Sequence, residues 1–232
     1  MIRIRQIADF YQFLIYDKYA LVVFRIKIKS TFAYSKLKVT ITVPGLLVYK
    51  MIQITLFILL SIPMVLISRH ALHNLQKHGF YRLLCWECIA ALLVLNYKYW
   101  FRDAFGINQV ISWILLFVSA YFVSTGALLL SKSGKPDKNR NDKSLYRFER
   151  TSQLVTTGIY KYIRHPLYSS LLLLTWGICL KDVTPLSFIL ALLSSAFLYL
   201  TAVLDEKECV VFFGEKYKEY MNRTKMFVPF IF

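Results

Sequence analysis

Acidic residues are scarce in this chain. It has 13 Asp and Glu against 29 Lys and Arg, for a net charge of +16 over 232 residues. In a soluble protein that excess would point to nucleic acid. Here the cations sit in segments between apolar blocks and leave no basic face outside the loops, so nucleic acid is not an expected partner. Glycine is sparse too: none of the 8 glycines forms a G-x-G, which argues against a Rossmann-type nucleotide site. No P-loop and no serine elbow occurs. The four cysteines are Cys85, Cys88, Cys179 and Cys209. Three lie in or beside apolar runs, where they act as small hydrophobes, and no disulfide framework is implied. No short apolar core ending in a small-residue cleavage site follows the start, so no cleavable signal peptide is expected.

Apolar sequence is abundant. Hydrophobic residues make up 57% of the chain, and the mean hydropathy is +0.48. Gathered in long blocks, this excess predicts an all-α integral membrane protein. Five blocks approach spanning length: 41–68, 82–101, 108–130, 166–180 and 184–204. A bilayer core needs about 20 helical residues, so the fourth block is short and must tilt or borrow from its flanks. "KDVTP" at 181–185 reads as a tight turn joining blocks four and five into a helical hairpin. Ser169/Ser170 and Ser194/Ser195 allow close helix approach within it.

The loop 131–164 carries nine Lys or Arg against three acids. The positive-inside rule places it in the cytoplasm. The C-terminal segment then lies on the same side. Its Cys209, Val210, Phe213, Tyr217 and Tyr220 recur at helical spacing, which predicts an amphipathic helix at the membrane surface. The resulting division is a basic extension over 1–40, three spans over 41–131, and a loop, hairpin and terminal helix over 132–232. Five spans put the N-terminus outside, yet residues 1–50 carry nine Lys or Arg against two acids. Either 7–24 is a sixth span, or the native protein starts at Met51; the second is preferred.

Two features compete as sites. His70, His73 and His78 precede Cys85 and Cys88, a zinc-like set on paper. The cysteines fall inside an apolar helix, however, and the histidines in a short basic loop, so no metal is expected. Glu87 is a carboxylate within span two. It is a functional candidate, or it snorkels or pairs near the interface.

The strongest constellation is "TSQLVTTGIY", "YIRHPLY" and "DEKE", at 151–160, 162–168 and 205–208. The hairpin returns Asp205 and Glu206 to the membrane level of Arg164, His165 and Tyr168. Pro166 suits the first turn of span four, where a missing N–H costs nothing. The free N–H groups there favour an anion. With Tyr160, these residues predict a pocket for a small zwitterion bearing hydroxyls and a flat ring. The competing reading is an interfacial belt of Arg, Tyr and Glu.

"LVTTGIYKYIRHPLY", followed by "DEKECVVFFGEKYKEYMNRTKMFVPF", resembles the isoprenylcysteine carboxyl methyltransferase family of integral membrane methyltransferases, with its prokaryotic members. The resemblance is specific over about 151–230 and absent over 1–40. It implies S-adenosylmethionine bound at the cytoplasmic face of a multi-pass protein of the cell membrane. It also implies cofactor contacts at Gln153, Leu154, Val155, Tyr160, Arg164, His165, Pro166, Leu167, Tyr168, Asp205 and Glu206. His165 and Glu206 are the catalytic candidates should the acceptor need a base. The implied partners are membrane lipids and a lipophilic small-molecule or prenylated acceptor, methylated on a carboxylate. Thr201 departs from the pattern: it stands where members acting on a prenylcysteine carboxylate carry an arginine. Lys207 would have to compensate from beyond the membrane end. Two alternatives remain, an NADPH-dependent membrane reductase of the sterol reductase type and a non-catalytic membrane protein. A phosphorylated cofactor would need more cations around the pocket than Arg164.

Overall fold

The structure is a computed structural model that describes residues 44–69, 72, 77–135, 149 and 151–229. The predicted extension 1–40, the alternative span 7–24, and His70 and His73 lie outside the described residues. Among the described residues there are helices and turns but no strand. The helices are α1 Pro44–Ile67, α2 His78–Asn96, α3 Ile107–Ser133, α4 Pro166–Cys179, α5 Pro185–Phe213 and α6 Glu215–Arg223. Two single 3-10 turns, Tyr97–Tyr99 and Gly158–Lys161, follow α2 and precede α4. The described residues fall into two units, those up to Leu56 and those from Phe57 onward.

Four helices, α1, α2, α3 and α5, are long and apolar enough to cross a membrane. The protein is a multi-pass membrane protein by this measure. The fourth block of the sequence forms α4, whose 14 residues reach about 21 Å at 1.5 Å per residue. That is short of a bilayer core of about 30 Å, so the sequence expectation of five spans stands at four long helices and one short one. The difference arises where His165 and Leu180 close α4.

Local chemistry sets the helix ends. Pro166 occupies the first turn of α4 and Pro185 that of α5. Thr184 and Ser187 cap α5 reciprocally: Thr184 Oγ1 accepts from the Ser187 N–H at 3.1 Å, and Ser187 Oγ from the Thr184 N–H at 2.8 Å. No breaker occurs between Leu204 and Phe213. The "DEKECVVFF" stretch therefore continues α5 instead of opening the terminal amphipathic helix. Gly214, at φ 62° and ψ −138°, ends it. A side chain is strained in that backbone conformation, whereas glycine tolerates it. The amphipathic helix is accordingly only α6.

The broadest interfaces pair α2 with α5 and α3 with α4. Ser194 and Ser195 act across the hairpin as expected: Thr175 Oγ1 meets Ser194 Oγ at 3.0 Å, and Trp176 Nε1 donates to Ser195 Oγ at 3.2 Å. Ser169 and Ser170 face elsewhere. Ser169 Oγ donates to the Phe227 carbonyl at 2.8 Å, and Ser170 Oγ to the Leu167 carbonyl of its own helix at 2.7 Å. Cys85 packs within α2 and meets Ser194 Oγ at 3.3 Å. Glu87 accepts from Ser61 Oγ of α1, so its partner is a neighbouring span and not a loop cation.

At the end of the bundle away from His165, Lys181 ties the turn after α4 to α3. Its Nζ donates to Gln109 Oε1 at 3.0 Å and lies 3.8 Å from the centre of the Trp113 ring. Burial lowers its pKa from the ordinary lysine range. Nearby, Ser112 Oγ donates to the Gly177 carbonyl at 2.6 Å. A Cβ at Gly177 would come within 2.9 Å of Leu116 Cδ2, which shows how closely α3 and α4 approach. Gly177→Val is expected to destabilise the bundle by about 1–3 kcal/mol, read as a lower midpoint of thermal unfolding in detergent.

Candidate active site

Pro166 starts α4, and His165 is its N-cap, with φ −120° and ψ 60°. The His165 side chain makes no capping bond. Its backbone N–H donates instead to the Met226 carbonyl at 3.2 Å, and that of Arg164 to the Lys225 carbonyl at 2.8 Å. The chain around Lys225 therefore lies alongside 162–165, with a parallel bridge between Ile163 and Lys225. This pairing leaves the imidazole to turn inward, where it stacks on Tyr168 with ring centres 5.2 Å apart.

The three acids of "DEKE" go three ways, as successive positions on a helix must. Asp205 Oδ2 accepts from Tyr168 Oη at 3.2 Å and lies 3.6 Å from His165 Nδ1. Glu206 Oε1 accepts from Arg164 Nε at 2.6 Å and lies 3.2 Å from His165 Nε2. The imidazole is thus flanked by a carboxylate at each nitrogen. Glu208 turns to the start of α2, where its Oε1 accepts from the His78 backbone N–H at 3.3 Å and its Oε2 is 3.0 Å from His78 Nδ1. His78 is therefore taken up by an acid. Among the described residues no group of His, Cys, Asp or Glu is arranged to hold a metal ion.

Arg164 closes the far side. Besides Glu206, its NH1 donates to the carbonyls of Met221, at 3.1 Å, and Thr224. These are among the last carbonyls of α6, which lack partners within the helix. Tyr220 Oη adds a bond of 2.6 Å to the Tyr160 carbonyl. Both ties hold α6 over the start of α4. Burial raises the pKa of the Tyr160, Tyr217 and Tyr220 phenols, which keeps them neutral.

Between these parts lies a cavity of about 680 Å³, counted with its open mouth. Nine of the residues singled out from the sequence line it: Leu154, Val155, Tyr160, Arg164, His165, Pro166, Leu167, Tyr168 and Asp205. Two do not. Gln153 is exposed, and Glu206 is buried beneath Arg164 and His165. Thr201 is fully buried and donates to the Phe197 carbonyl at 2.7 Å, while Lys207 is exposed. The cavity also takes in Leu130, Glu149, Thr151, Cys209, Phe213, Tyr217 and Tyr220. Cys209, Phe213, Tyr217 and Tyr220 are four of the five residues of the face assigned above to the membrane surface; here they line a pocket. Glu149 had no such signal. It lies in a charge-rich loop, and only the fold brings it in.

Residues 107–218 match the profile of the family described as Phospholipid methyltransferase. Among curated proteins, a "Methanethiol S-methyltransferase" of Crocosphaera subtropica is 36% identical over 33% of this chain and 29% of its own length. Another, of Pseudomonas deceptionensis, is 30% identical over 51% of this chain and 42% of its own length. A "Protein-S-isoprenylcysteine O-methyltransferase B" of Arabidopsis thaliana is 35% identical over 37% of this chain and 44% of its own length. The chain thus spans less than half the length of each of these relatives. No solved structure matches it. The profile covers α3 through the first residues of α6, and the relatives are named as methyltransferases of two acceptor types. With the helical architecture and the "RHPLY", "DE" and "FGEKYKEY" pieces around one cavity, these matches support the resemblance to the isoprenylcysteine carboxyl methyltransferase family of integral membrane methyltransferases.

Proposed function

We propose that this protein transfers a methyl group from S-adenosylmethionine to a lipophilic or amphiphilic acceptor at the cytoplasmic face of a cell membrane. The observation that carries this reading is the cavity at the start of α4, walled by carboxylate, tyrosine and aliphatic side chains. Those groups fit the cofactor. Asp205 and Glu149 suit its two cationic centres, and the α4 start suits its carboxylate. Leu154, Val155 and the ring of Tyr160 offer the apolar, flat surface that an adenine needs. When bound, the cofactor supplies a methyl group made electrophilic by a sulfonium.

The protein's part is alignment and the exclusion of water. His165, Pro166, Leu167 and Tyr168 form the α4 wall, and Tyr217 and Tyr220 cover the cavity from α6. Glu206 acts through others, holding both the Arg164 guanidinium and the His165 ring in place. Gln153 is left as a contact at the rim. The basic loop 131–164 favours a cytoplasmic mouth, and α1, α2, α3 and α5 give the acceptor an apolar approach from lipid. A phosphorylated nicotinamide fits less well: Arg164 lines the cavity, but Glu206 and two carbonyls already occupy it.

Calorimetry in detergent tests the reading. Binding of S-adenosylhomocysteine without binding of NADPH is expected; a folded protein that binds neither would sink both enzyme readings. Asp205→Asn and His165→Ala are expected to weaken S-adenosylhomocysteine about tenfold or more while the melting curve stays cooperative. Unchanged affinity would show the pocket to be misassigned. Glu206→Ala is expected to cost about 3–5 kcal/mol of stability, because it leaves a buried guanidinium without its carboxylate. Its melting midpoint in detergent should fall well below those of the other two variants.

A further inference from the structure

α5 and α6 meet at one residue. Phe213 ends the first helix, Glu215 begins the second, and Gly214 stands between them at φ 62° and ψ −138°. Among the described residues, a Cβ there would meet nothing within 4 Å. Crowding therefore does not call for glycine; the backbone conformation does. Gly214 is a joint between a long helix and a short one. At its other end α6 gives way to extended chain, with Thr224 at φ −130° and ψ 158°.

Two kinds of contact hold α6 down. Its far end is bound into the body. The N–H groups of Arg164 and His165 donate to the Lys225 and Met226 carbonyls, and that of Lys225 donates to the Tyr162 carbonyl at 3.1 Å. Arg164 NH1 also holds the Met221 and Thr224 carbonyls. The inner face carries Tyr217 and Tyr220, both buried and both on the cavity wall. Here a side-chain bond of 2.6 Å, from Tyr220 Oη to the Tyr160 carbonyl, ties α6 to the opposite wall.

We propose that α6 is a lid that turns between Gly214 and the pairing at Lys225, with the Tyr220–Tyr160 bond as its latch, and so gates the exchange of cofactor and product. The gating of a cofactor rests on the methyltransferase reading above; the motion itself does not. Release of the latch lets Tyr217 and Tyr220 swing off the cavity, while Arg164 and the backbone pairing keep the far end on the body. Closure returns both rings over the site and keeps water from it. Tyr220 acts through its hydroxyl and Gly214 through its backbone, so both are positioning residues.

The test uses the full chain in detergent and follows the association and dissociation of S-adenosylhomocysteine over time. Tyr220→Phe removes the latch bond and keeps the ring. Gly214→Ala strains the closed backbone without a clash. Tyr220→Phe is expected to raise both rates together by about three- to tenfold, the weight of one hydrogen bond in an equilibrium. Gly214→Ala is expected to raise both as well, because a side chain makes the closed conformation costly. Affinity then changes little. Loss of a ligand contact would raise dissociation alone, and general destabilisation would not speed association. A second readout needs no cofactor. Cys209 lines the cavity, and its labelling by N-ethylmaleimide in the ligand-free protein is expected to quicken in both variants. Association rates or Cys209 labelling left unchanged in both variants would overturn the proposal. Quickened labelling in a protein that does not bind S-adenosylhomocysteine would support the lid and strike instead at the methyltransferase reading.

Discussion

The buried pair of Arg164 and Glu206 organises the rest of the candidate site. Taking two charges out of water is costly, and their attraction offsets that cost only when the remaining donors and acceptors are also satisfied. Here they are. The guanidinium uses Nε for the carboxylate and NH1 for two carbonyls at the end of α6, while the carboxylate also meets His165 Nε2. One interaction thereby joins the start of α4, the end of α5 and the end of α6. The pairing of 163–165 with 225–226 runs beside it and fixes the same junction through the backbone. The His165 ring is held between Asp205 and Glu206 as a consequence, and Tyr168 stacks on it.

Length explains how a membrane helix can carry three acids. The 29 residues of α5 extend about 43 Å, at 1.5 Å per residue. A bilayer core of about 30 Å accounts for the first twenty or so, ending near Leu204. Asp205, Glu206 and Glu208 then stand just beyond the hydrocarbon, still on a rigid helix. Each turns a different way: one to the cavity, one to Arg164, one to the start of α2. The same device lets a polar site open beside lipid without an acid facing the bilayer interior.

Much of this was legible in the sequence, for physical reasons. Apolar runs of spanning length mark α1, α2, α3 and α5 directly. Pro166 and Pro185 mark the starts of α4 and α5, and the short turn between them forces Asp205 back toward His165. What the pattern blurred was the fate of residues 205–213. Helical periodicity is the same in a surface helix and in the continuation of a span, so only the backbone freedom of Gly214 tells where one ends. The face of Cys209, Phe213, Tyr217 and Tyr220 was visible, but not that it met a cavity. Arg164 and Glu206 were visible as a cation and an acid, but not as partners of each other beneath the cavity wall. Glu149 was not legible, because its place depends on Arg82, 67 residues away, and no periodicity links a loop to a helix start.

The central claim is that α6 and the segment at 225–227 close a cofactor cavity against the start of α4. Hydrogen exchange in detergent, with and without S-adenosylhomocysteine, tests it most directly. Slowed exchange is predicted in two segments together, 160–168 and 215–227, with the amides of Arg164, His165 and Lys225 among the most protected. Ligand-dependent protection confined to other parts of the chain, with both segments unchanged, would contradict the account.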